Sequence, residues 1–241
     1  MKRYCLVAAA LMAMSGCARA VETLTFPSLD GLEVTADLYL AHPAEAPLIL
    51  LFHMAGSSRA EYASIAPRLN RLGFNAMAVD QRSGGGRNET AKRAREAKKG
   101  TTYIHALPDM KAALAFARAK YARGKVILWG SSYSASLVLK MAGDDPASCD
   151  GVLAFSPGEY FVPPVSIEES AKGIKVPVFV SSAKFEGEDW KAIFAAIGAP
   201  GKESFLPEGG GAHGSEALAE ETPGNAEYWK AVEPFLKRFL P

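Results

Sequence analysis

Two periods of hydrophobic and polar positions take turns along this chain. From Leu24 to Leu40, "LTFPSLDGLEVTADLYL" alternates with period two and reads as two strands around an Asp30-Gly31 turn. "APLILLFH", Ala46 to His53, is an unbroken apolar run, as expected of a strand buried on both faces of a parallel sheet. A helix over about Ala60 to Leu72 and a strand from Phe74 to Asp80 follow. After a polar loop rich in Gly and Arg, "ALPDMKAALAFARAKYA" returns to helical spacing, with Asp109 near the positive end of that helix.

The alternation continues to the end of the chain. Strand "KVILW" leads to a helix from about Tyr133 to Ala142, and strand "GVLAF" to an irregular stretch from Ser156 to Lys175. Strand "VPVFVSS" leads to the helix "EDWKAIFAAIG". A short strand near Ser204 to Leu206, a glycine run and a last helix over about Asn225 to Leu240 close the pattern. The pattern predicts an α/β fold: a mainly parallel eight-stranded sheet with helices on both faces and right-handed crossovers. The opening hairpin supplies its antiparallel N-terminal edge.

Composition changes this picture little. With 241 residues, 49% hydrophobic and 22% charged, the chain can bury the core of one domain. Its formal net charge of +1 gives no electrostatic case for nucleic acid. The start reads differently. "MKRYCLVAAALMAMSGCARA" has a basic tip, a short apolar stretch and then small residues, the layout of a signal for export from a bacterial cytoplasm. Two cleavage sites fit: a lipobox-like "MSGC", which would lipidate Cys17 and tether a periplasmic protein to a membrane, and "ARA", Ala18 to Ala20. The folded domain is then expected over 21–241, with Cys149 its single cysteine and no intramolecular disulfide.

Chemistry gathers at the carboxyl ends of strands in open sheets of this kind. "GSSYS", Gly130 to Ser134, stands at such an end, directly before a helix, with Ser132 in its centre. A sharp strand-to-helix turn leaves no room for bulk two places either side of the central residue, and Gly130 and Ser134 are both small. Such a turn exposes the Ser132 hydroxyl and aims the Tyr133 N–H at a developing oxyanion. The plainer alternatives are that Ser132 only caps the helix, or that Ser134, in "SYSAS", is the relevant serine.

At these residues the chain resembles the α/β-hydrolase superfamily, and within it the small, lid-poor, dienelactone-hydrolase-like and esterase-like serine hydrolases. The resemblance spans the sequence from the hairpin to the last helix. It departs at Ser134, where glycine is commonest, and in having serine where dienelactone hydrolases proper use cysteine. It implies a Ser, acid, His order along the chain. Of the four histidines, only His213 follows Ser132, in the glycine-rich "EGGGAHGSE". The resemblance makes it the base; otherwise it is a surface-loop histidine. For the acid, the family's proline-started strand, small residue and acid three places on map onto Ala183 and Glu186, with Asp189 the alternative. Glu188 and Asp189 also suit the first turn of the following helix. The resemblance places the second oxyanion donor after the first parallel strand, at the Met54 N–H. His53 fits a structural role better than a basic one, while still bordering the substrate pocket.

"DQRSGGGRNET", Asp80 to Thr90, lacks a complete phosphate-loop pattern and reads as a flexible rim loop beside the pocket; the resemblance makes Asp80 and Arg82 its structural anchors. "KRAREAKK", Lys92 to Lys99, reads as a solvated helix face or as an attractor of anionic groups. "SPGEYFVPPV" is too short for a large lid, and its Tyr160 and Phe161 either line an acyl or alcohol pocket or pack under the loop. Neither H-E-x-x-H nor paired cysteines occur, so no metal and no cofactor is expected. The expected activity is cleavage of small or medium carboxylic esters through an acyl-enzyme on Ser132. Thioester, acyl-transfer or peptidase chemistry on the same residues remains open, as does a non-catalytic binding protein on this fold. Oligomeric state is not encoded in any motif.

Overall fold

The computed structural model describes residues 21–241; the expected export segment, Cys17 included, lies outside the described residues. The strands are β1 (Glu22–Pro27), β2 (Glu33–Tyr39), β3 (Leu48–Phe52), β4 (Asn75–Asp80), β5 (Val126–Ser131), β6 (Gly151–Phe155), β7 (Val178–Ser181) and β8 (Lys202–Phe205). The α-helices are α1 (Ile65–Arg71), α2 (Glu89–Glu96), α3 (Leu107–Lys120), α4 (Tyr133–Asp144), α5 (Ile167–Ala171), α6 (Lys191–Ala196) and α7 (Asn225–Lys237).

The eight strands form one sheet in the order β1-β2-β4-β3-β5-β6-β7-β8. β2 pairs antiparallel with both β1 and β4, and every other pair is parallel. This is the mainly parallel sheet with an antiparallel N-terminal edge that the alternating pattern predicts, and the arrangement that the resemblance to the α/β-hydrolases implies. Alternate residues of the continuous apolar strands feed two separate cores. Leu48, Leu50, Phe52, Val126 and Leu128 pack with α3 and α4 on one face. Ile49, Leu51, Ile127 and Trp129 pack with α1 and α7 on the other. A strand serving both faces has no polar position to spare, which is why β3 reads as an apolar run.

The chain runs from β3 to β4 on one side and returns to β5 on the other, with Phe52 opposite Gly130. That reversal opens a crevice at the strand ends, where the loop after β3 and the turn after β5 face each other.

Several elements differ from expectation for local reasons. The predicted helix over 60–72 is split into a 3-10 turn, Arg59–Tyr62, and α1. Pro67 lies in the first turn of α1, and its ring would collide with the Ala63 carbonyl if the helix ran through. "KRAREAKK" forms much of α2, with Ala91 and Ala94 buried. The irregular stretch contains α5, whose first amides Ile167 and Glu168 donate to the Glu159 carboxylate at 2.9 and 2.7 Å. α6 begins only at Lys191, so Glu188 and Asp189 precede it. No helix among the described residues is long and apolar enough to cross a membrane.

Candidate active site

Ser132 joins β5 to α4 with φ +58° and ψ −128°. This left-handed backbone costs a non-glycine residue about 1–3 kcal/mol, so the surroundings must enforce it. The Ser132 N–H donates to Phe155 O at 2.7 Å, and the Ala135 N–H returns to Ser132 O at 2.8 Å. A Cβ on Gly130 would come within 2.4 Å of the Ser134 carbonyl oxygen, so the turn closes only on glycine there. Tyr133 opens α4, and the first N–H groups of a helix have no intrahelical acceptor. Ser134 is fully buried, donating to His53 O at 2.6 Å and accepting from Gln81 Nε2 at 2.7 Å. It cannot meet a substrate.

The structure brings Glu186 and His213 together from distant loops. His213 Nδ1 bonds Glu186 Oε1. Glu186 Oε2 accepts from Ser156 Oγ at 2.6 Å and from the Ala183 N–H at 3.0 Å. Burial alone would raise the Glu186 carboxyl, but the bonds from His213 and Ser156 outweigh it and hold it below the ordinary carboxylate value. The same bond to Glu186 raises His213 above its ordinary value. Glu188 instead pairs with Lys191 at 3.2 Å, and Asp189 contributes only its N–H, to Glu186 O at 3.0 Å.

The His213 loop is pinned to the Ser132 turn through neighbouring residues. The Ser215 N–H donates to Ser131 Oγ and the Gly214 N–H to Ser156 Oγ, both at 2.8 Å. No hydrogen bond joins Ser132 to His213 among the described residues; a bond of this kind commonly tightens only with substrate in place. Ser156, itself at φ +56°, therefore ties the acid to the loop that carries the histidine.

Two expectations need correction. The Met54 N–H, expected as an oxyanion donor, donates to Glu61 Oε2 at 2.8 Å and is already engaged. The next N–H, that of Ala55, has no partner among the described residues. His53, expected at the pocket, is fully buried, with Nδ1 donating to Met54 O at 2.7 Å and Nε2 accepting from Asn88 Nδ2 at 2.9 Å. Burial holds this imidazole below its ordinary value, so it stays neutral.

The loop after β4 also differs from a free rim. A Cβ on Gly84 would lie 2.0 Å from Asn88 Nδ2 and 2.6 Å from Ser57 O, so its glycine permits close packing against the loop after β3. Gln81 supports the turn from below, donating to Tyr133 Oη at 3.0 Å and His53 O at 2.8 Å. Asp80 and Arg82 are anchors as expected: Asp80 receives the Arg59 N–H at 2.7 Å, and Arg82 grips Asp109 and Asp30.

Tyr160 and Phe161 line a cavity of about 270 Å³ with Thr102, Tyr103, Ile104 and Val165. The Tyr160 hydroxyl donates to Ser156 O at 2.9 Å and neighbours the Ser132 hydroxyl. Tyr103 stacks on Tyr133 at 4.6 Å, which sets the cavity against the turn. No group of His, Cys, Asp and Glu suited to a metal ion occurs among the described residues.

Sequence reasoning missed Glu61, Gln81 and Ser156. Ser156 alone had a local signal, its place at the end of β6. The geometry makes a testable statement about Glu186. Because Glu186 raises His213, Glu186→Gln should move the acid limb of kcat/KM to lower pH. It should also lower kcat by about 10³–10⁴-fold through loss of imidazole orientation. A pH–rate profile on a small ester checks both.

A model of the family described as serine aminopeptidase, S33, matches residues 43–184. Among solved structures, the esterase Pf2001 of Pyrococcus furiosus aligns with a TM-score of 0.74 at 17% identity, over 92% of this chain and 93% of its own. The dienelactone hydrolase of Anabaena variabilis gives 0.72 at 14% identity, over 93% and 100%. Est1E of Butyrivibrio proteoclasticus, in a structure with ferulic acid bound, gives 0.70 at 14%, over 90% and 98%. At these identities the likeness is one of fold. No curated protein sequence matches the chain significantly. The matched segment covers more than half of the sequence and includes both the loop after β3 and the Ser132 turn, so the chain belongs to the serine aminopeptidase S33 family of α/β-hydrolases.

Proposed function

We propose that this hydrolase cleaves small or medium carboxylic esters through an acyl-enzyme on Ser132. The observation that carries this reading is the Glu186–His213 pair pinned beside a serine held in left-handed backbone. In this mechanism Ser132 Oγ attacks the acyl carbon and its proton passes to His213 Nε2. Glu186 holds Nδ1–H and stabilises the imidazolium. The Tyr133 and Ala55 N–H groups receive the oxyanion. His213 then protonates the leaving alcohol, and water, activated by the same imidazole, frees the acid. A fluorophosphonate probe should label the folded protein, and p-nitrophenyl esters should be turned over. A folded protein that takes no label would favour a binding role. Cleavage of unblocked peptides without ester turnover would favour a peptidase.

The cavity beside Tyr160 sets the acyl preference in this reading. With roughly 30 Å³ for each water-sized group, it takes a chain of about six to nine carbons. Octanoate should therefore exceed acetate in kcat/KM. Val165→Trp, which fills the cavity, should cut the octanoate value about tenfold or more and leave acetate near wild type. Equal losses on both esters would place the acyl group elsewhere. We also propose that the protein is exported and tethered through Cys17; a diacylglyceryl Cys17 in the mature mass spectrum supports both statements, and a free Val21 terminus refutes the tether and leaves export standing.

A further inference from the structure

One half-buried acid, with a carboxyl oxygen fully enclosed, lies among the loops of the site with no place in this mechanism. Glu61 sits in the 3-10 turn after the loop from β3, and its Oε2 accepts the Met54 N–H at 2.8 Å. Its Oε1 is buried and has no hydrogen-bond partner among the described residues. The hydroxyls of Ser131, from β5, and Ser57 are its polar neighbours. Ser131 in turn holds the His213 loop through the Ser215 N–H. Glu61 therefore stands where the oxyanion loop, the nucleophile turn and the histidine loop meet.

The surrounding charges do not favour a carboxylate. From the histidine segment, Glu216 repels it, and His213 feels its charge in turn. Tyr62, on its own turn, faces away to Phe52 O at 2.7 Å. Arg59, the nearest cation in sequence, is turned to Asp37, Asp80 and Glu89. No ion pair reaches Glu61 among the described residues. Burial, the largest influence, pushes its carboxyl up to about 7.

We propose that Glu61 is a positioning residue whose neutral carboxyl fixes the oxyanion loop through the Met54 N–H. Loss of its proton to solvent places an uncompensated negative charge beneath the Ala55 donor. The neutral acid presents Oε2 to Met54 N–H and keeps its proton on Oε1, the oxygen that lacks a donor. The ionised form opposes the second negative charge that develops on the acyl oxygen. That effect lowers the rate on the alkaline side, and it acts on kcat more than on KM, because it opposes charge that exists only in the transition state.

The inference rests on Ser132 being the nucleophile, and the test separates the two. The wild type and Glu61→Gln are compared by fluorophosphonate labelling rate and by kcat on one ester, from pH 5 to 10. Wild-type rates should fall about tenfold or more between pH 7 and 9, while Glu61→Gln, which keeps an acceptor for Met54 and cannot ionise, should reach a plateau. A structural role alone would lower the rate equally at every pH. That result, or an unchanged alkaline fall in Glu61→Gln, overturns the proposal and leaves Ser132 standing. A wild type unlabelled at every pH removes the reading beneath it. Should Glu61→Gln fail to fold, carbon NMR of glutamate-labelled wild type decides: a carboxyl titrating near 7 that is absent from the spectrum of Glu61→Asp supports it, and no glutamate titrating above about 6 refutes it.

Discussion

Ser132→Ala is expected to lose ester turnover by a factor on the order of 10⁵–10⁶ in kcat, and to lose fluorophosphonate labelling with it. Removing the oxygen leaves no atom to form the acyl-enzyme. Ser131 cannot substitute, because its hydroxyl is buried and holds the Ser215 N–H. Ser134 is locked between His53 O and Gln81. The fold should be untouched, since the backbone bonds at Ser132 do not involve its side chain. Ser132→Gly should be equally inactive yet more stable, by about 1 kcal/mol, because glycine adopts φ +58° without the penalty a side chain incurs. An inactive but stabilised glycine variant, read by thermal melting beside activity, would separate the strain of this turn from its chemistry. Residual turnover above about one per cent in Ser132→Ala would move the nucleophile elsewhere.

The second large effect concerns stability. Arg82 and Asp109 are both buried, joined at 2.6 Å, and Arg82 reaches on to Asp30 with both terminal nitrogens at 2.8 Å. Arg82→Ala would leave Asp109 as a buried charge with no cation, and such a loss typically costs about 3–5 kcal/mol. For a chain of this size that lowers the melting temperature by roughly 6–20 °C. Replacing both partners, as Arg82→Met with Asp109→Leu, should cost much less than the sum of the single changes. The pair links the loop after β4 to the first turn of α3 and to the opening hairpin. Its loss should therefore also loosen Gln81 and, through it, the Ser132 turn. Additive single and double variants would mean that the pair is worth no more than a surface contact.

What the sequence made legible depended on whether the signal was local. The strand-to-helix turn at Ser132 is written in one short segment: an apolar strand, a small residue, the serine, another small residue. The Glu186 and His213 positions follow from chain order and spacing once that fold is inferred, and the structure joins the two by a hydrogen bond. Met54 shows the limit. The place that the resemblance gives it predicted a free N–H, but the carboxyl group of Glu61, seven residues on, captures it. Nothing in "HMAGSSRAEY" announces that the 3-10 turn carries Glu61 back over the loop. His53 is similar. Its burial depends on Asn88 and Gln81, both from beyond β4. The glycines at 84–86 signalled freedom in isolation, whereas Gly84 serves contact with Ser57. In each case a contact between residues far apart in the chain overrode a sound local reading.

The division of labour among loops has a consequence for how this molecule can change over generations. Ser132, Glu186 and His213 stand at the ends of β5 and β7 and after β8, whereas Phe161, Val162 and Val165 belong to the segment between β6 and α5. Val162 is 81% exposed, so replacing it disturbs little packing. Tyr103 is the exception, because its stack on Tyr133 couples the cavity wall to the reacting turn. On the proposed function, selection can therefore retune diet at Phe161, Val162 and Val165 while the chemistry proposed for Ser132, Glu186 and His213 is inherited intact, and lineages of this chain should diverge first in that segment and last at Tyr103.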